Sequence, residues 1–223
     1  MLSNLFPEYV SVSFGALHTN EELLKYYPLP VQLQKAKVSR QLEFLSGRFF
    51  AKKALTKLGH KDANDPIPIK ENRAPVWPHN VVGSISHTDI FVGAAVANAS
   101  DALGIGFDIE HIFSKKIKDQ IQDLVSDVSE WNNIRSNRAL DDCLKLTLIY
   151  VAKEAIYKCL SPITQIFFGF HDVEILEIDL NKSNFKAKIV KNLHPTLELD
   201  LELKGNFIID RNTVYGGLIF PHD

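Results

Sequence analysis

The period of the hydrophobic pattern changes several times along the chain, and each change marks an element. From 31 to 58 the spacing is helical. With Phe44 as origin, Arg40, Phe44, Arg48, Ala51, Leu55 and Leu58 fall on one stripe, and Gly59 supplies the stop. Residues 60–80 form a loop rich in Pro, Asn and Asp. Two strand-like runs follow, VVGSISH at 81–87 and FVGAAVA at 91–97, with a turn around Asp101. The small residues Gly83, Ser84 and Ser86 imply that something approaches that backbone closely. LGIGFDIEHI at 103–112 alternates as a strand: Ile105, Phe107 and Ile109 share an apolar face, and Gly106, Asp108 and Glu110 share the other. Residues 113–141 read as polar helix and loop, and a long helix covers roughly 140–160. From Gly169 to Phe220 the runs KAKIV, LELDLEL and FIIDRNTVYGGLIF alternate as strands. Residues 1–30 read as strand and turn ending in YYPLP.

This order predicts an α+β fold in two pseudo-symmetric halves, 1–102 and 103–223, each a long helix packed on a small, mostly antiparallel sheet. A repeated frame supports the duplication. FFAKKALTK at 49–57 returns as YVAKEAIYK at 150–158, with Glu154 where the first copy has Lys53.

Composition narrows the class. A chain of 223 residues, 45% apolar and 23% charged, is expected to be globular. A net charge of −2 gives no support to a broad nucleic-acid footprint. Cys143 and Cys159 match neither a disulfide framework nor a zinc spacing, so a cytoplasmic protein with a buried Cys159 thiol is expected. MLSNLFPEYV lacks a basic leader, and no apolar run reaches the ~20 residues of a membrane span.

The candidate chemistry sits on the second helix and the strand before it. On the helix Glu154 and Lys158 share a face at i, i+4, with Thr147, Tyr150 and Val151 close by, and Lys153 lies about 100° away. Taken alone, this is an ordinary surface ion pair. Asp108 and Glu110 change its meaning. Three carboxylates on neighbouring elements repel one another and raise their pKa values. A hard divalent cation resolves that repulsion, and Mg²⁺ takes one or two carboxylates together with phosphates and water. Arg48, Lys158 and His87 would hold the remaining phosphate charge. Arg40 and Arg48 on the first helix either face such an anion or snorkel at the stripe's edge.

These residues resemble a known family. GIGFDIE followed by YVAKEAIYK is similar to the two-part signature of the 4′-phosphopantetheinyl transferases. GRFFAKKAL (47–55), NRAPVWP (72–78), GSISHT (83–88) and FFGF (167–170) point to the Sfp type, in the group of enterobactin synthase component D. The departures are Tyr150, Val151 and Phe107, and none of them removes a charged group. The resemblance implies transfer of the phosphopantetheine arm of coenzyme A to a serine of an apo acyl or peptidyl carrier protein, with release of adenosine 3′,5′-bisphosphate. Asp108, Glu110 and Glu154 would bind Mg²⁺. Glu154, or a water held by Glu110, would be the general base. Lys158 would steady the phosphates, with Lys153 assisting or facing solvent. Arg40, Arg48, Arg73, Ser86 and His87 would contact coenzyme A, with Trp77 either core or ligand contact. Lys115, Lys116, Lys118, Arg135 and Arg138 would meet the carrier or form a solvated face. A monomer is implied. The alternative is a catalytically silent protein that binds coenzyme A or the carrier.

Overall fold

The computed structural model describes residues 2–18, 29–137, 139–193, 197 and 199–222. Tyr26, Tyr27 and Pro28 of the YYPLP run, and Arg138, lie outside them. Strands β1 (Ser11–Ala16), β2 (Val81–His87) and β3 (Phe91–Asn98) form an antiparallel sheet in the order β1-β3-β2. Helix α1 (Val38–Leu58) packs on it. The helix starts later than its periodicity suggests, because Pro30 opens a separate 3₁₀ turn at Val31–Leu33. It stops at Gly59, whose left-handed φ of 76° lets its N–H cap the last turn.

The second sheet holds β4 (Gly104–His111), β5 (Ile134–Arg135), β6 (Val173–Asp179), β7 (Asn184–Ile189), β8 (Glu202–Asp210) and β9 (Thr213–Phe220), in the order β4-β9-β8-β7-β6-β5. Only the β5–β6 pair is parallel. Within LELDLEL, Leu199, Asp200 and Leu201 are not strand. At Asp200 the chain takes a left-handed φ of 62° and its N–H bonds back to Ile189, so β8 begins only at Glu202. Helices α2 (Lys115–Val125) and α3 (Val128–Asn132) fill the polar segment. Helix α4 (Asp142–Thr164), capped by the Asp141 side chain, crosses β4 and β9.

The fold is therefore α+β, with one long helix on each of two mostly antiparallel sheets. What approaches the small residues of β2 is β4. Ser84 and Ser86 Oγ accept the N–H groups of Phe107 and Ile109 at 3.1 Å each, so two hydroxyls join the sheets where no strand ladder does. The apolar face of β4 meets Leu5, Phe6, Ala95 and Tyr215 in a shared core. Cys159 is buried and Cys143 half-buried, both as free thiols.

Candidate active site

The polar face of β4 looks onto α4. Gly104 and Gly106 leave no side chain between strand and helix, so Ala155 and Cys159 pack directly against the strand backbone. Where the glycines end, Asp108 and Glu110 meet Tyr150, Glu154 and Lys158. Ser86 and His87 at the end of β2, and Arg40, Glu43 and Arg48 on α1, complete the wall of a cavity of about 300 Å³. Both α1 arginines, Arg40 and Arg48, line this wall.

Asp108, 4% exposed, is the centre of the cluster. Its Oδ1 accepts from Lys158 Nζ at 2.6 Å and from Ser86 Oγ at 2.8 Å, and Lys158 also reaches Ser86 Oγ at 3.0 Å. Its Oδ2 is buried with no hydrogen-bond partner. Burial pushes the Glu154 carboxyl up to about 7, Asp108 and Glu110 add to the rise, and Lys158 opposes it. Burial and Asp108 likewise raise Glu110. Burial raises the Tyr150 phenol, with the three carboxylates adding to it.

Cations line the opposite wall. Arg48 is held by Ile67 O at 2.7 Å and lies 4.4 Å over the Phe44 ring. Burial, then Arg40, lowers its pKa to about 10. Arg40 Nη1 donates to Glu43 Oε2 at 2.9 Å and meets His87 Nε2 at 3.0 Å. Since Arg40 can only donate, His87 accepts there through a neutral ring, and burial keeps its pKa low. Arg73, at a positive φ of 69°, stands between this cavity and a larger one of about 450 Å³ that Trp77 and Tyr157 border. Trp77 itself donates to Gly83 O at 2.9 Å and packs beneath that glycine.

Lys153, expected to assist at the phosphates or to face solvent, is turned away from this cluster into the interior. It is 2% exposed and its ammonium is taken up by Glu130 and by Val125 O. Two acids were missed in the sequence. Glu43 could have been noticed three residues after Arg40, but nothing local marks Glu130. Among the described residues no three His, Cys, Asp or Glu side chains are arranged to hold a metal ion. Instead, an ammonium sits on Asp108.

Residues 29–97 match the family model described as 4′-phosphopantetheinyl transferase N-terminal domain, and residues 104–209 match that of the 4′-phosphopantetheinyl transferase superfamily. The chain belongs to this superfamily. It is 36% identical over 166 residues to enterobactin synthase component D of Escherichia coli (strain K12), covering 74% of this chain and 75% of the relative. Over 179 residues it is 32% identical to the 4′-phosphopantetheinyl transferase Npt of Nocardia iowensis, covering 78% and 76%. With enterobactin synthase component D of Salmonella typhi the identity is 28% over 220 residues, covering 95% and 87%. The chain is thus a phosphopantetheinyl transferase, with coenzyme A as donor and a carrier protein as acceptor. No described helix is long and apolar enough to cross a membrane.

Proposed function

We propose that this transferase uses Mg²⁺ and Glu154 to move phosphopantetheine from coenzyme A to the serine hydroxyl of an apo acyl or peptidyl carrier protein in the cytoplasm, acting as a monomer in siderophore or related assembly. The observation that carries the metal is Asp108 Oδ2, a buried carboxylate oxygen with no partner beside two acids of raised pKa. Oxygen donors of this kind suit a hard cation. Asp108, Glu110 and Glu154 would hold it once Lys158 turns from Asp108 to a phosphate. Bound there, Mg²⁺ would neutralise charge on the pyrophosphate.

The residues of this chain do the rest. Residues 1–102 supply the contacts to the coenzyme A phosphates and adenine: Arg40, Arg48, Arg73, Ser86 and His87. Residues 103–223 supply the acids. Glu154 takes the serine proton as the hydroxyl oxygen bonds to the phosphorus that bears pantetheine. The bond from that phosphorus to the bridging oxygen breaks, and adenosine 3′,5′-bisphosphate leaves. A catalytically silent binder would gain nothing from burying Glu154 among like charges.

Intact mass spectrometry of an apo carrier incubated with the enzyme, coenzyme A and Mg²⁺ tests this. One added phosphopantetheine is expected, abolished by EDTA and restored by excess Mg²⁺. Full transfer in EDTA would remove the metal from the reading. No transfer to several carriers, with coenzyme A still bound, would favour a pure binder.

The carrier is expected to dock on α2 and α3. Lys115 and Lys116 are exposed there, as are Leu124 and Val128. Lys118 is already paired with Asp119, and Arg135 with Glu177. Reversing Lys115 and Lys116 to Glu should raise KM for an acidic carrier by roughly 5–10-fold, with KM for coenzyme A unmoved. Unchanged carrier kinetics would place the docking face elsewhere.

A further inference from the structure

We propose that the buried Lys153–Glu130 pair is a positioning element. It locks α2 and α3 to the catalytic helix and so sets where Glu154 stands relative to the docked carrier serine. The inference rests on the function proposed above.

Both side chains are 2% exposed. The Lys153 ammonium donates to Glu130 Oε2 at 2.9 Å and to Val125 O at 2.9 Å, and lies 2.8 Å from Glu130 Oε1 in the ion pair. Glu130 in turn accepts the N–H of Ile175 at 2.7 Å and that of Asp127 at 2.9 Å. One ion pair thereby joins the end of α2, the start of α3, β6 and α4. Adjacent bonds follow the same seam. Trp131 Nε1 donates to Ser126 Oγ at 3.0 Å, and Asn133 donates to Ile175 O at 2.8 Å.

Stability alone does not account for such a pair. A buried ion pair is often no more stabilising than apolar residues of the same volume. What it adds is direction, because four hydrogen bonds and the ionic contact fix the angle and spacing of the joined elements. Lys153 is also next to Glu154 in sequence, projecting about 100° around the helix. Both residues wall an apolar cavity of about 220 Å³ with Tyr157, Phe168 and Phe170. A movement of α3 against α4 would therefore be felt at Glu154 and at the carrier face together, and hardly at all at Arg48 or His87.

The test is the double variant Lys153→Met/Glu130→Gln, which neutralises both ends and strands no charge. We expect a Tm at or near that of wild type and a KM for coenzyme A within about 2-fold. The kcat/KM for the apo carrier should fall about 10–100-fold, the scale of a small misplacement of a catalytic group. Unchanged carrier kinetics would overturn the inference. So would a parallel loss in KM for coenzyme A, which would make the pair a general support of the fold. Should the double variant not fold, Lys153→Arg decides, since it keeps the charge but widens the gap between α4 and α3. Reduced kcat with unchanged KM for coenzyme A is expected, and full kcat overturns the proposal. A wild-type enzyme that modifies no carrier would instead sink the proposed function itself.

Discussion

At saturating Mg²⁺, which offsets the loss of a proposed metal ligand, phosphopantetheine transfer by Glu154→Gln is expected to fall by about 10²–10⁴-fold in kcat, the usual contribution of a general base, while KM for coenzyme A changes by less than about 3-fold. The amide has nearly the shape of the carboxylate, so the cavity wall stays filled, but it cannot accept the serine proton. The phosphate-binding groups proposed here, Arg48, His87 and Lys158, lie on other positions and remain in place. Steady-state kinetics with a carrier protein, followed by intact mass, give kcat and both KM values. The matched variant Glu110→Gln separates the two possible bases. If Glu154 takes the proton, Glu110→Gln should lower kcat less and should mainly raise the Mg²⁺ concentration needed for half-maximal rate. If Glu154→Gln costs only a few-fold and Glu110→Gln costs hundreds, a water held by Glu110 is the base.

The parts of this site that local sequence reveals are those set by local periodicity. Strand β2 follows its run of 81–87, and alternation on β4 puts Asp108 and Glu110 on one face because successive side chains must alternate. Helical spacing likewise brings Glu154 and Lys158 together. Partners distant in sequence are a different matter. Small residues at Ser84 and Ser86 signal a close neighbour, but not that the neighbour is β4, 23 positions on. The helical frame shows Lys153 turned away from Glu154, yet nothing near it in sequence marks Glu130 as the acid that receives it. Arg48 was open between snorkelling and facing an anion, and its long-range contacts are what the sequence could not supply. Its Nε is tied to Ile67 O and its guanidinium lies over Phe44, while the residue still walls the cavity. LELDLEL shows the opposite error: alternation persists through Leu199 and Asp200, where the backbone turns.

Gly106→Ala should be among the most damaging substitutions of a single methyl group, lowering Tm by about 6–12 °C and transfer by about 10²-fold. A Cβ at Gly106 would overlap the Ala155 carbonyl, lying 2.6 Å from its carbon and 3.0 Å from Cys159 Cβ. Those atoms belong to the backbone and inner face of α4 and cannot swing aside, so the helix must lift from β4. Overpacking of this kind costs about 1–3 kcal/mol, and a rigid backbone neighbour puts it at the upper end. In a domain of this size about 3 kcal/mol corresponds to the stated Tm shift at 2–4 °C per kcal/mol. The activity loss has the same origin. Lys158 reaches Asp108 at 2.6 Å only because the helix sits directly on the strand at its two glycines. Lifting α4 carries Glu154 and Lys158 away from Asp108, and displacements near 1 Å can cost about 10²-fold in rate. Gly169→Ala is the control. Its Cβ would meet nothing within 4 Å, so Tm should change by no more than about 2 °C, the scale of a tolerated Gly→Ala change. Thermal melts of both variants, with kinetics well below the lower Tm, make the comparison. A Gly106→Ala enzyme with unaltered Tm and rate would mean that α4 does not rest on β4 as closely as the active-site geometry requires.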